Sequence, residues 1–405
     1  MARVRTVAVI GGGIAGPVAA LALRKAGIEA TVYESHPTPS DGVGGAIAVA
    51  PNGMAALDIV GAAGAVEDAA WPIHRQVMSI GAKRVRLPGL AGVGPIQMIN
   101  RSDLYRALSS ALEINYGKRL INAVSGPDGV TASFADGDEI RADVLIGADG
   151  VHSTVRGLIG PAAPGPRYTG MLAFEGRSPV DVPEEPGTMV FAFGKRGYYL
   201  YGPTPGGGST FGINLPHRPL TIAEARATPP AAWRRTLLET YGEDSPGGDM
   251  IRALPVERLT VNGALHIMPP VPHWHRGRMV LTGDAVHAPS NSSGQGASLS
   301  IESAIELARC LRDFSDVDEA FTRYEELRRR RVEKVAARAA RTNSIKAPGP
   351  TAKALMPIIM PIFMRIAMNP ERVIGPEQRY RIDWTLTASA APSPGYRGGR
   401  RSAAA

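Results

Sequence analysis

Cysteine is almost missing from this 405-residue chain: Cys310 stands alone, inside the apolar run IELARCL. One thiol cannot close an internal disulfide, so a disulfide-stapled secreted scaffold is excluded and a cytoplasmic enzyme is expected. Long hydrophobic runs are missing as well. No stretch of ~18 apolar residues occurs, so no membrane-spanning helix is expected. The N-terminus, MARVRTVAVIGGG, moves straight into a strand pattern without the apolar core and small-residue cleavage site of a secretion signal. Internal repeats are absent. An excess of positive charge is missing over most of the chain despite a net +8: from residue 321 onward there are 17 Lys/Arg against 6 Asp/Glu, which leaves −3 for residues 1–320. A nucleic-acid-binding core carries its own positive face, so nucleic acid is not an expected partner.

One further absence is local. Between Ala285 and Ile301, in GDAVHAPSNSSGQGASLSIESAIELARCL, no Asp or Glu occurs although a helical pattern begins there. Helix starts expose unpaired N–H groups and usually recruit acids into the first turn. A helix start left bare in this way is available to a ligand that carries negative charge.

What is present reads as an interrupted nucleotide-binding fold. Val4–Ile10 is a β-branched run bounded by three glycines, Ile14–Ala26 is helical with Pro17 in its first turn, and Ile28–Tyr33 is the next strand. This βαβ start implies a parallel sheet. Arg101–Leu112 is a second helical segment, Val124–Ile140 carries the turn signals of a β-meander, and Val144–Ile146 is another buried strand. From about Arg167 to Leu265 helical patterns are few. Aromatic and β-branched residues alternate around Gly and Pro there, predicting an antiparallel sheet with one covered face. Met279–Thr282 returns to parallel-strand character, and helices are expected over Gly296–Arg312 and Val317–Arg341. The final residues, PSPGYRGGRRSAAA, have the composition of a disordered tail.

Ligands of open α/β sheets bind beyond the carboxyl ends of the strands, which singles out three loops. The first is Gly11-Gly-Gly-Ile-Ala-Gly16. Gly11 permits a tight turn, Gly13 close approach of a pyrophosphate, and Gly16 close helix–strand packing. Eighteen residues beyond Gly16, Glu34 ends the second strand, where it can accept hydrogen bonds from ribose hydroxyls and repel a 2′-phosphate. The pattern does not choose between NAD and FAD. The second loop, GADGVHSTVR over 147–156, holds Asp149-Gly150 as a turn, Ser153 as a helix cap and Arg156 in reach of a phosphate or carboxylate. In the third, Asp284 can bind ligand hydroxyls, Pro289 fixes a bend, and Gly294 and Gly296 let backbone approach a flat ring.

Together, GGGIAG…E, GADGVHSTVR and GDAVHAPSNSSGQGASLSIESA resemble the three fingerprints of the single-component FAD-dependent aromatic hydroxylases, the p-hydroxybenzoate hydroxylase-like monooxygenases, over about residues 4–342. The fold this implies is α/β: a Rossmann-like FAD-binding domain with a parallel sheet (1–166 and 267–342), interrupted by a mostly antiparallel sheet substrate domain (167–266, with part of 71–100). C-terminal helices and a tail complete it (343–405). The resemblance implies that Gly11, Gly13, Gly16 and Glu34 hold the ADP half of FAD, with Ile14 and Ala15 in the same contact. Arg101, in INRSDLYRAL, faces the cofactor, and Asp149 and Gly150 sit near the pyrophosphate. Asp284 binds the ribityl chain, while Pro289, Gly294 and Gly296 line the isoalloxazine, joined by Gln295 and Ala297. Glu302-Ser303 departs from the family's usual Glu-Asp and reads as helix packing or a polar cap contact.

The activity implied is reduction of FAD by NAD(P)H, reaction with O2 to a flavin hydroperoxide, and insertion of one oxygen atom into an aromatic or polyketide-like small molecule. Epoxidation, or hydroxylation with rearrangement, uses the same fold, and a flavin-binding protein without oxygenase turnover is a further alternative. Halogenation is disfavoured because Trp71, Trp233, Trp274 and Trp384 form no Trp-x-Trp pair. No catalytic base stands out: His217, Asn214, Tyr199 and Tyr201 are candidates that also read as sheet or core residues. His273 and His275 lack the partners of a metal site, so no metal is expected. The aromatics Phe174, Phe191, Phe193, Tyr199, Tyr201 and Phe211 divide between a pocket and the core. Arg328–Arg331, Arg338 and Arg341 read as a helix face paired at i, i+4 with Glu325, Glu326 and Glu333. The apolar, Pro-broken run 354–368 is too short to span a bilayer and reads first as packing against the FAD domain; with its basic neighbours it also suggests weak peripheral contact with anionic lipid.

Overall fold

The computed structural model describes residues 4–39, 45–81, 83–346 and 370–390, with backbone alone over 342–346. The run 354–368 and the tail 391–405 lie outside the described residues. A six-stranded sheet forms the centre, in the order 275–276, 279–281, 144–147, 6–10, 29–33, 114–115. The four neighbouring pairs from Met279–Leu281 to Ile114–Asn115 run parallel. Strands such as Val144–Gly147 are buried on both faces, which is why they read as unbroken apolar runs rather than alternating ones. Helix Ala15–Lys25 packs on this sheet, Gly296–Asp313 packs on Ala15–Lys25, and Val317–Lys346 packs on Gly296–Asp313. The meander is a separate three-stranded sheet, Leu120–Gly126, Gly129–Phe134 and Glu139–Ala142.

The intervening segment builds a seven-stranded sheet, in the order 259–267, 167–178, 209–216, 198–203, 188–193, 75–80, 83–87. Every pair is antiparallel except Thr188–Phe193 with Arg75–Ile80. One face carries its own core: Leu172, Phe174, Tyr199, Tyr201, Phe211 and Ile213 pack against Trp233, Leu237, Tyr241 and Ile251. Those last four belong to helices, and here the sequence expectation of few helices needs correcting. Ile222–Ala227, Pro230–Tyr241 and Gly247–Ala253 are helical and cover this face. Four of the six aromatics named above are therefore core, and Tyr199 and Tyr201 are not pocket residues.

The basic helix also differs from expectation. Arg329 does pair at i, i+4 with Glu325 and Glu333. Arg328 and Arg331, however, turn inward onto Glu302, which accepts from Arg328 at 2.7 Å and from Arg331 at 2.8 Å and also from Asn52 Nδ2 at 2.7 Å. Glu302 and Arg328 are wholly buried. Burial works against the charge of Glu302, but Arg328 and Arg331 outweigh it and hold its pKa below the usual range. Arg338 pairs with Glu377 at 2.7 Å and donates to Ser293 O at 3.2 Å, which ties the 370–390 segment to the third loop. Among the described residues no helix is long and apolar enough to cross a membrane.

Candidate active site

The three loops at the strand ends meet. Gly11, at φ 104°, lies so close to the second loop that a Cβ would overlap Ala148 O, and a Cβ on Gly16 would overlap Gly11 O. These two glycines are packing requirements. A Cβ on Gly283, at φ 62°, would stand 2.6 Å from the Ala15 Cβ, which brings the third loop onto the first. Arg156 joins the second to the third, donating to Ala285 O and Val151 O at 2.9 Å each. Arg156 is buried in this role, so the expectation that it faces a phosphate or carboxylate is corrected.

A second set of glycines behaves in the opposite way. At Gly13, Gly150, Gly294 and Gly296 a Cβ would meet nothing within 4 Å. Beside them lie two helix starts. Ala15–Lys25 has Ile14 at its N-cap and Gly296–Asp313 has Gln295; neither cap makes a side-chain hydrogen bond, and neither first turn holds an acid. Ala15 and Ala297 are buried at these starts. Open space, free backbone and the positive ends of two helix dipoles thus coincide, which is the environment an elongated dinucleotide with a pyrophosphate and an electron-rich ring requires.

The acids sit around this space. Glu34 accepts from Gly12 N at 2.7 Å and from His36 N at 2.8 Å, so it borders the first loop. Asp149 accepts from Ser153 Oγ at 2.5 Å, Thr154 N at 2.7 Å and Val155 N at 3.1 Å, and Ser153 caps the same helix through Arg156 N. Burial raises the Asp149 pKa against those bonds. Asp284 is exposed, yet protein closes in around its carboxylate: burial pushes its pKa up against Arg101 and against Ser300, whose hydroxyl donates at 3.5 Å. Asp284 is therefore open to a ligand at the edge of the third loop. Arg101, also exposed, is held by its own N–H to Gly45 O at 3.0 Å.

In the third loop Pro289 is half-buried between Ala288 and Ser290. The side chain of Gln295 is buried, with its Oε1 accepting from Asn52 Nδ2 at 2.9 Å, so only its backbone is available to a ligand. His287 turns away from the cleft, 2.8 Å from Ser303 Oγ, and burial lowers its pKa to about 3. Ser303 also accepts from Arg328 at 3.1 Å. Glu302-Ser303, read from sequence as helix packing, is thus the hub that anchors this helix.

Opposite the loops lies the uncovered face of the seven-stranded sheet. Along Thr188–Phe193 and Ser209–Pro216 buried residues alternate with half-buried ones. The half-buried set is Met189, Phe191, Phe193, Thr210, Gly212 and Asn214. Asn291 Nδ2 of the third loop donates to Asn214 Oδ1 at 3.3 Å and joins this face to that loop, while the strands Ala46–Val49 and Trp71–Ile73 meet it through Ala46 N, which donates to Glu175 Oε2 at 2.6 Å, and through Trp71, over whose ring Arg177 lies at 5.8 Å. Of the candidate bases, Asn214 reaches the cleft. His217 sits at the strand end with Nδ1 2.9 Å from Arg218 O. Glu175, which sequence reasoning missed, is the carboxylate of this face. It gave no signal because a lone Glu in an alternating strand reads as a solvent-facing residue.

A chain with this glycine cradle, two bare helix starts and a facing half-buried sheet has the architecture of a flavoprotein. The FAD binding domain family matches residues 4–339, and the chain belongs to it. It is 34% identical over 355 residues to 3-amino-4-hydroxybenzoate 2-monooxygenase PtnB3 of Streptomyces platensis, covering 81% of this chain and 85% of that one. It is 31% identical over 339 residues to the FAD-dependent urate hydroxylase of Klebsiella pneumoniae (80% and 86%) and 30% identical over 335 residues to aurachin C monooxygenase/isomerase of Stigmatella aurantiaca (80% and 85%). The crystal structure of Klebsiella pneumoniae HpxO complexed with FAD and uric acid superposes with a TM-score of 0.78 at 26% identity, covering 92% of this chain and 96% of that one. This protein is an FAD-dependent monooxygenase of the p-hydroxybenzoate hydroxylase-like family.

Proposed function

We propose that the protein inserts one atom of O2 into an aromatic small molecule, using electrons from NAD(P)H. The observation that carries this reading is the cleft between the three packed loops and the half-buried sheet face. When bound, FAD supplies the redox chemistry, passing two electrons from NAD(P)H to O2 so that one oxygen atom enters the substrate and the other leaves as water.

The chain's own groups divide the remaining work. Glu34 accepts the adenosine ribose hydroxyls, and the backbone of Gly11, Gly13, Ile14, Ala15 and Gly16 receives the pyrophosphate with Asp149 and Gly150 alongside. Asp284, with Arg101 near it, accepts hydroxyls of the ribityl chain. Pro289, Gly294, Gln295, Gly296 and Ala297 present backbone to the flat ring, where the helix dipole favours negative charge by roughly 0.3–2 kcal/mol. Met189, Phe191 and Leu200 give the substrate an apolar wall that excludes water. The 3-amino-4-hydroxybenzoate and urate named for the relatives support a flat, electron-rich substrate.

The test is stopped-flow flavin reduction by NADH and NADPH against a panel of phenols, aminophenols and quinolones, followed by product analysis under isotopically labelled O2. At least one aromatic compound is expected to accelerate reduction and to return carrying one labelled oxygen atom. Reduction indifferent to every aromatic, with no label in any product, sinks the reading. The similarity to aurachin C monooxygenase/isomerase supports a second reading, hydroxylation with rearrangement. A labelled product with an altered carbon skeleton distinguishes it.

A further inference from the structure

We propose that Glu175 is the catalytic base of this site, the group that receives the O–H or N–H of the aromatic substrate and takes its proton as oxygen is transferred. The inference rests on the monooxygenase reading above and deepens it. Glu175 lies on Arg167–Ser178, opposite Gly212 in the neighbouring strand, and half-buried on the face turned to the loops. Two residues along that neighbour stands Asn214, whose amide oxygen meets Asn291 of the third loop. A strand rises ~3.3 Å per residue, so the backbone position opposite Glu175 lies roughly 7 Å along the strand from that of Asn214. That is the span of one aromatic ring with its substituent.

The carboxylate is oriented from two sides by neutral donors. Ala46 N donates to Oε2 at 2.6 Å and Asn262 Nδ2 donates to Oε1 at 2.9 Å. Gly45 is required beside it, since a Cβ there would overlap Oε2. A carboxylate has about four lone-pair sites, so two donors leave capacity for a substrate hydroxyl. Among the described residues no charged side chain is hydrogen-bonded or ion-paired with it. The strand Leu259–Ile267 presents Thr260 and Asn262, Ser209–Pro216 presents Gly212, and Ala46–Val49 presents backbone. Arg177, the cation of its own strand face, is turned onto Trp71. Burial without a cation pushes the Glu175 pKa up to about 7, against the two hydrogen bonds. A base poised near neutrality is what proton abstraction at physiological pH requires.

The step is balanced within the site. The substrate O–H bond breaks, a carboxyl O–H bond forms on Glu175, and the electron pair stays on the substrate oxygen. That pair enriches the ring carbon that receives oxygen. Glu175 then returns its proton to solvent, which reaches it because the residue is half-buried.

The test uses FAD-loaded protein and two probes, 2-naphthol and its methyl ether, with binding read from the perturbation of flavin absorbance. A hydroxyl bonds more strongly to an ionised carboxylate than to a protonated one. Binding of 2-naphthol by the wild type is therefore expected to tighten about tenfold between about pH 6 and 8, while the methyl ether, lacking the donor, stays flat. In Glu175→Gln, FAD content is retained, the 2-naphthol dependence disappears, and kcat/KM for an accepted phenol falls roughly 100-fold with loss of its acid limb. The proposal is overturned if the wild type binds both probes alike or shows no pH dependence. It is overturned equally if the dependence survives in Glu175→Gln. The probe pair in wild type decides the matter even where the variant loads no FAD. Pair-dependent binding without oxygenated product would sink the monooxygenase reading alone; turnover with pH-indifferent binding would sink only the role of Glu175.

Discussion

The glycines of the first loop do two different jobs, and substitution separates them. Gly16 has no room for a methyl group against Gly11 O, whereas Gly13 faces open space. Gly16→Ala forces helix and loop apart, so it is expected to destabilise the apoprotein by about 1–3 kcal/mol, the usual cost of overpacking. Gly13→Val is expected to change apoprotein stability by no more than about 1 kcal/mol yet to fill the open space proposed for the pyrophosphate. It is expected to abolish FAD retention in a fold that still melts cooperatively. Thermal melts of apoprotein and flavin absorbance of the purified variants check both, and equal loss of stability would show that the two positions are not distinct. The motif spacing made these residues legible, since each glycine answers a local backbone need. Glu175 and Arg156 were not legible: their roles depend on Ala46, Asn262 and Ala285, which lie 87 or more residues away.

At the scale of elements, the long helix Val317–Lys346 shows why pattern alone misassigned its arginines. Spacing at i, i+4 is satisfied by Arg329 with Glu325 and Glu333, and sequence cannot reveal that Arg328 and Arg331 point the other way into a neighbouring helix. The three helices over the sheet were missed for a related reason. Ile222–Ala227 and Gly247–Ala253 are too short to establish a period, and Pro229 and Pro230 read as loop. The buried cluster carries a sharp expectation. Glu302→Gln removes the charge that compensates Arg328, wholly buried, and Arg331. It should cost about 3–5 kcal/mol, whereas Arg329→Ala, at a part-exposed pair, should cost no more than about 1 kcal/mol. Urea denaturation compares them directly. Asn52 donates to both Glu302 and Gln295, so Glu302→Gln is also expected to weaken FAD retention by disturbing the helix start. A cost below that of Arg329→Ala would mean that the cluster tolerates an uncompensated cation.

For the whole molecule, the two cores make different predictions about what FAD stabilises. One core joins the parallel sheet to Ala15–Lys25, Gly296–Asp313 and Val317–Lys346, while the other joins the seven-stranded sheet to the three helices between Ile222 and Ala253. The cleft is lined by the edge of the first core and the uncovered face of the second. On the proposed reading, a ligand seated on the loops would bond to backbone N–H groups of the first and meet only side chains of the second. FAD at about 100 times its Kd adds roughly 2.7 kcal/mol to the folded state, and hydrogen exchange locates where that protection falls. Amides of residues 11–16, 148–156 and 284–298 should slow markedly on loading with FAD, and those of Pro230–Tyr241 and Gly247–Ala253 should be nearly unchanged. Adding 2-naphthol to the loaded protein should then slow exchange in Tyr198–Pro203 and Ser209–Pro216, because an aromatic ligand closes the half-buried face against the loops. Uniform protection on FAD loading would show that the two cores open as one cooperative unit. Protection confined to the helices over the sheet would place the cofactor on the wrong side of the molecule and overturn the cleft as the site of chemistry.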